Sequence, residues 1–140
     1  MSELDCITRR VNLLGDPNDP ATPIPLLTLE EFFTGNFVDG SICCNLEPCP
    51  TPQEVYTNLL EIRNRPNVSD VRVQITAFDD PDWPFSDTVW VFTDADEATV
   101  NSWIPSHIAP DEYWEGWIES LTYEQCEIMA SHKPIAIWWD

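Results

Sequence analysis

Three aspartates, Asp79, Asp80 and Asp82, are the residues whose type and spacing most directly suggest chemistry. Carboxylate oxygens are the ligands that hard divalent cations prefer, so these side chains could gather such an ion together with a histidine. An acidic connection that contains a proline, here Pro81, is also an ordinary solvated loop. A metal-binding domain or metal-dependent enzyme that uses this cluster is therefore one hypothesis, and a solvated loop is the alternative.

A second cluster consists of three cysteines, Cys43, Cys44 and Cys49. Such thiols could bind zinc, with Cys6, Cys126 or a histidine as the fourth ligand. The chain has no C-x-x-C pair, however, and adjacent residues of an extended segment point to opposite faces. The spacing therefore favours buried, unreactive thiols over a zinc site.

Other catalytic and ligand-binding motifs are incomplete. Asp94 and Asp96 begin like a calcium loop, but Pro105 stands where that loop needs its final glutamate. Gly35 and Gly40 have the spacing of a phosphate loop but lack its lysine.

Nucleophilic catalysis is also disfavoured. The chain has no G-x-S-x-G motif, and its two histidines, His107 and His132, lie in acidic stretches. Negative surroundings raise the pKa of a thiol and so make a cysteine nucleophile weak. We therefore expect a protein that is not an enzyme and holds no cofactor.

Charge is the dominant property of the sequence. The chain has 25 Asp and Glu against six Lys and Arg, a formal net charge of −19. Binding to nucleic acid depends on cations that neutralise phosphates, so direct nucleic-acid binding is excluded, and anionic membranes are disfavoured for the same reason. The asymmetry is strong, because 14 acidic residues lie between Asp79 and Asp140 and Lys133 is the only basic residue there. The natural partners of such a field are cations and basic proteins.

Aromatic residues are interleaved with these acids in the second half of the chain. Aromatic anchors surrounded by carboxylates are typical of a surface that binds a basic protein, since the charges speed association and select positive partners. The alternative is a tryptophan-rich core beneath an ordinary acidic surface. The residues predicted to contact a partner are Asp82, Trp83, Asp87, Asp111, Glu112, Trp114, Glu115 and Trp117.

In size, charge and the acidic and aromatic stretch from Asp82 to Trp117, the chain resembles bacterial immunity proteins, the cytoplasmic inhibitors that neutralise basic nuclease or other toxins. The resemblance implies a non-enzymatic inhibitor of a basic partner. A nucleic-acid mimic that blocks a DNA- or RNA-binding protein is an alternative, and it predicts carboxylates spaced in rows like phosphates.

The elements that position these residues are predicted to form a single α+β domain over residues 1–140, with a largely antiparallel sheet and three to four helices. Alternating residues over 68–78 and an apolar run over 88–92 predict two strands. Thr28 and Thr51, followed by acidic first turns, predict helix starts, and Pro52 fits the first helical position.

Weaker patterns predict a first strand over 4–14, a short strand over 41–46, a helix over 122–131 and a terminal strand over 134–140. Asp94 with Glu97 resembles a capping box for a helix that ends at Pro105.

The sequence also predicts a location. The first five residues lack the basic and apolar regions of a signal peptide, and no apolar run approaches the roughly 18 residues of a membrane span. Five cysteines, an odd number, indicate reduced thiols rather than a disulfide framework. We therefore expect a cytoplasmic protein.

Overall fold

A five-stranded antiparallel sheet forms the centre of the computed structural model, which describes residues 2–78 and 81–140. The strand order is β1-β2-β3-β5-β4. Asp79 and Asp80 lie outside the described residues. The strands are β1 (Leu26–Thr28), β2 (Val68–Gln74), β3 (Thr88–Thr93), β4 (Glu112–Glu115) and β5 (Lys133–Trp138).

Strand β3 lies in the middle of the sheet, and all six of its residues are buried. Val89 and Val91 face the helices, while Trp90 and Phe92 face the opposite side. An apolar run without alternation is the pattern of a strand that is covered on both faces. The predicted strands over 68–78 and 88–92 are therefore confirmed, although β2 ends at Gln74.

Four helices cover one face of the sheet, and the predicted α+β architecture is confirmed. Thr28 and Thr51 cap the second and third helices as predicted, each accepting a hydrogen bond from a backbone N–H three residues later. A single turn of 3-10 helix follows at Ser106–Ile108. The helices are α1 (Glu3–Asn12), α2 (Leu29–Phe33), α3 (Pro52–Arg63) and α4 (Glu97–Ser102).

The strand predicted over 4–14 is wrong, because these residues form α1. Ser2 and Asp5 form a reciprocal capping box at its start, and Arg9 and Arg10 in its last turn suit the helix dipole. Ile7 and Val11, four residues apart, bury the inner face of the helix.

Two other local predictions are also wrong. Residues 41–46 form turns, with Cys43 at a φ of 58°, a left-handed conformation that a strand excludes. Helix α4 is capped by Asp96 rather than Asp94, since the Asp96 carboxylate accepts a hydrogen bond from the backbone of Thr99. The predicted terminal strand is confirmed as β5.

The core between helices and sheet contains a predicted site residue, Trp83. Its indole is only 4% exposed and donates a hydrogen bond to the backbone oxygen of Phe32 over 3.1 Å. Trp139 is fixed similarly, by a 2.9 Å hydrogen bond from its indole to the backbone oxygen of Ile108. These buried indoles satisfy their polar groups with loop and helix backbone.

Two phenylalanines offer a matched test of this core. Phe32 is fully buried on α2, whereas Phe37 is 76% exposed. Phe32→Ala should lower the free energy of unfolding by about 3 to 5 kcal/mol, because it leaves a cavity in a packed core. Phe37→Ala should change it by less than about 0.5 kcal/mol in the same denaturant titration. Equal effects of the two substitutions would contradict this assignment of the core.

Candidate functional site

The second face of the sheet is covered by irregular chain instead of helices. Its buried centre consists of Leu26, Trp90, Phe92 and Ala136. Residues 116–131, which we call the covering segment, connect β4 to β5 and supply the side chains that pack on this centre, Tyr123, Cys126 and Ile128 among them. The helix predicted over 122–131 is therefore wrong.

Backbone pairing explains why no helix forms there. The amide of Ile24 donates to the oxygen of Thr122, and the amide of Glu124 donates to the oxygen of Ile24, both over 2.9 Å. Ile24 and Tyr123 thus form an isolated parallel bridge. These backbone groups are committed to another part of the chain, so they cannot make the hydrogen bonds of a helix.

Ring stacking builds an aromatic cluster under the covering segment. The ring centroid of Trp117 lies 4.5 Å from that of Trp90, 4.8 Å from that of Tyr123 and 5.9 Å from that of Phe92. Trp90 is further held by a 2.9 Å hydrogen bond from its indole to Gln74. Three ring contacts thus fix Trp117, although 36% of its surface remains exposed.

An ion-pair network anchors the covering segment to the rest of the protein. Arg10 of α1 donates to both carboxylate oxygens of Glu124, at 2.7 and 2.8 Å, and to Glu31 of α2 at 2.8 Å. Glu124 also accepts a 2.9 Å hydrogen bond from the backbone of Leu26. Burial would lower the pKa of Arg10, but the two carboxylates outweigh burial and raise it. Glu124 therefore has a structural role.

A groove of about 460 Å³ opens along the covering segment. The residues that line it include Trp117, Leu121, Tyr123, Glu124, Cys126 and Ile128. Burial raises the pKa of the Cys126 thiol, so it remains protonated at neutral pH. The groove therefore has aromatic, apolar and polar walls, and its thiol is a weak nucleophile.

Most of the large apolar side chains that are exposed in the described residues lie in the covering segment, and two of them, Trp117 and Leu121, line the groove. Of the six large apolar side chains that are exposed in the described part of the chain, Trp117, Ile118, Leu121 and Met129 belong to the covering segment. The exposed acids Glu119 and Glu127 lie in the same segment. An exposed apolar cluster with a charged border is typical of an interaction surface.

The structure brings three of the predicted site residues to this face. The register places Glu112 opposite Trp138 and Trp114 opposite Ala136, so both side chains share the face of Trp90. Trp114 is half-buried, and its indole N–H has no hydrogen-bond partner among the described residues. Of the three predicted tryptophans, only Trp117 is among the exposed side chains.

Other predicted residues lie elsewhere. Trp83 belongs to the helix-side core, so its proposed role as a surface anchor is wrong. Glu115 alternates with Trp114 on β4 and therefore lies on the helix side of the sheet, 3.4 Å from Lys133. Asp82 is exposed in the loop that contains Trp83.

Asp87 and Asp111 support the backbone at the residues just before strands β3 and β4. Asp87 accepts hydrogen bonds from the hydroxyls of Thr76 and Thr88, at 2.6 and 2.8 Å. Asp111 accepts from the side chain of Asn45 at 2.8 Å and from the amide of Asp140 at 2.7 Å. These two acids contribute negative charge while they hold local structure.

The cysteine cluster does not form a metal site in the structure. Cys43 is buried, which raises its pKa, whereas Cys44 and Cys49 are exposed. Residues 2–78 and 81–140 contain no group of three or more His, Cys, Asp or Glu side chains that could hold a metal ion. Asp79 and Asp80, which the metal hypothesis requires, lie outside the described residues.

The few cations of the protein are mostly engaged within it. Arg72 donates to Asp70 over 2.7 Å and to the backbone oxygen of Leu26 over 3.2 Å. The 25 acidic residues outnumber the six Lys and Arg, so these pairs leave most of the negative charge unbalanced. The remaining pairs join Arg63 to Glu30 at 2.6 Å, the Arg65 guanidinium to the Trp103 ring at 4.6 Å, and Lys133 to Glu115.

Sequence reasoning missed most of the groove. Leu121 precedes the helix that was wrongly predicted over 122–131 and Ile128 lies inside it, so the pattern did not indicate that these two residues line a groove. The signal for the groove that the sequence did contain was the composition of this stretch, in which apolar residues recur among acids.

These features define a small acidic α+β protein with an aromatic cluster on the helix-free face of its sheet. The chain belongs to the family described as the Uncharacterized protein YfbO family, whose model matches residues 2–138. It is similar to the Uncharacterized protein YfbO of Escherichia coli (strain K12), with 51% identity over 140 residues that span the whole of both chains. No solved structure matches the chain. Over the described residues, no helix has the length and apolar character needed to cross a membrane.

The anchor of the covering segment can be tested with Glu124→Gln. This change removes the charge that pairs with Arg10, so we expect unfolding to become easier by about 2 kcal/mol, the usual range for a hydrogen bond to a charged group. Amide hydrogen exchange should accelerate at Ile24 and at residue 124, whose amides form the bridge.

Glu127→Gln is the matched control, because Glu127 is an exposed acid in the same segment. It should leave both stability and exchange close to those of the wild type. An unchanged exchange rate at Ile24 in the Glu124→Gln variant would show that the ion pair does not hold the segment.

Proposed function

We propose that this protein is a non-enzymatic acidic inhibitor that binds a basic protein through the face formed by the covering segment and strand β4. The observation that carries this proposal is that one segment combines four exposed apolar side chains, a groove lined by Trp117 and Leu121, and the exposed carboxylates of Glu119 and Glu127. A centre of apolar and aromatic side chains with a charged border is the usual anatomy of a protein interface.

The charge distribution supports a basic partner. Between Asp79 and Asp140 the single cation, Lys133, pairs with Glu115 on the other side of the sheet from the groove. A field of this strength accelerates encounter with a positive protein and repels acidic ones. The association should therefore be fast and should weaken as salt screens the charges.

The proposal extends to neutralisation of a toxin-like enzyme in the cytoplasm, as in immunity proteins. A basic nuclease exposes cations to bind phosphates, and an acidic protein with an apolar centre complements such a surface. The exposed apolar cluster favours this mechanism over a nucleic-acid mimic, because the mimic requires carboxylates in rows and no apolar centre.

Two charge reversals of equal size test which face binds. The partner is first captured from lysate of the native host at low salt and then purified. Glu119→Lys lies in the covering segment, whereas Glu61→Lys lies on α3, in the helix layer. We expect Glu119→Lys to weaken binding about 10-fold or more, and Glu61→Lys about 2-fold, since both change the net charge equally but only the first lies at the interface. Titration calorimetry at two salt concentrations measures both effects.

A larger loss from Glu61→Lys would transfer the interface to the helix layer and contradict the proposed face. Capture of no basic protein at either salt concentration would contradict the proposal itself.

The metal hypothesis has a separate test. If the protein acts through its acidic and aromatic surface, purified and dialysed protein should contain less than about 0.1 equivalent of any divalent metal, because the site needs no ion. Mass spectrometric metal analysis gives the answer. A stoichiometric metal that survives dialysis would support the enzyme or metal-binding alternative at Asp79, Asp80 and Asp82.

A further inference from the structure

We infer that the groove beside Trp117 is the receptor for an arginine side chain of the basic partner. This inference rests on the proposed function and names the chemical group that the site accepts. The groove combines the partly exposed ring of Trp117 with a volume of about 460 Å³, and it lies in a chain whose formal net charge is −19.

Trp117 is a preformed platform. Its contacts with Trp90, Tyr123 and Phe92 hold the ring in place, so little side-chain freedom is lost when a ligand stacks on its exposed part. Tryptophan is the aromatic side chain that attracts cations most strongly. A flat guanidinium stacks on such a ring and is less strongly hydrated than an ammonium, which favours arginine over lysine.

The same protein already contains a stack of this kind. The Arg65 guanidinium lies 4.6 Å from the centroid of the Trp103 ring on the helix side. Trp117 offers a second indole ring, and 36% of its surface is exposed.

The charges around the groove favour an incoming cation. The two arginines nearby are already neutralised, Arg10 by Glu31 and Glu124 and Arg72 by Asp70. Glu119 and Glu127 add two exposed carboxylates of the same segment. Glu124 is occupied by Arg10 and the Leu26 amide, so attraction comes from the ring and the surrounding field rather than from a new ion pair with Glu124.

Hexa-arginine and hexa-lysine peptides provide probes of equal charge. In titrations of the ¹⁵N-labelled wild-type protein, we expect hexa-arginine to shift the indole N–H signal of Trp117 and to bind about 5-fold more tightly than hexa-lysine. The indole of Trp103, already stacked with Arg65, serves as the internal reference. Equal affinity of the two peptides, or a Trp117 signal that stays in place, would overturn the inference.

Trp117→Ala should weaken hexa-arginine binding about 5-fold to 10-fold and abolish the preference over hexa-lysine. Phe37→Ala, which removes another exposed aromatic ring, should leave both affinities within about 2-fold. Trp117→Phe retains a ring on the same platform and should retain most of the preference, which separates stacking from a folding defect.

The two proposals fail in different ways. A basic partner could bind the wild type, bind the Glu119→Lys variant more weakly and bind the Trp117→Ala variant with unchanged affinity. This result would refute the arginine receptor but would be consistent with the proposed function. If hexa-arginine binds at Trp117 more tightly than hexa-lysine but no basic protein is captured, the proposed function is refuted. Trp117 would then still be a binding site for a guanidinium group.

Discussion

Strand β3 must be covered on both faces, and the rest of the structure depends on this requirement. Its side chains are apolar on each side, with Val89 and Val91 on one and Trp90 and Phe92 on the other. Burial of such side chains contributes roughly 1.5 to 3 kcal/mol each, so neither face can be left to solvent. Helices cover the valine side. The aromatic side is covered by a segment without regular secondary structure, and this difference creates the groove.

The two layers are joined at the β1 edge by charge. Arg10 on α1 reaches Glu31 on α2 and Glu124 in the covering segment, so one cation ties both helices to the opposite face of the sheet. A protein with six Lys and Arg uses most of them inside its own structure. The charge exposed on the outer surface is consequently mostly negative, and like charges on one surface repel one another.

The regular elements with strong local signals could be predicted from the sequence. Thr28 and Thr51 are helix caps in both sequence and structure, and β3 follows from its apolar run. Where local and tertiary preferences compete, prediction failed. Residues 4–14 alternate imperfectly yet form a helix because Ser2 and Asp5 cap it and Ile7 and Val11 pack beneath it. The sequence predicted the acidic and aromatic character of the site but only some of its residues. The burial of Trp83, for example, depends on the backbone of Phe32, which is far away in sequence.

The covering segment has one further property, which follows from its two ends. Glu115, which precedes it, pairs with Ile135, which lies just after it on the neighbouring strand, so the segment closes a long hairpin. The ladder holds these ends together whatever the length of the chain between them. Loop-closure entropy grows slowly, by roughly 0.6 kcal/mol for each doubling of length. Insertions or deletions in the exposed part of this hairpin should therefore cost little stability, because the sheet beneath keeps its register.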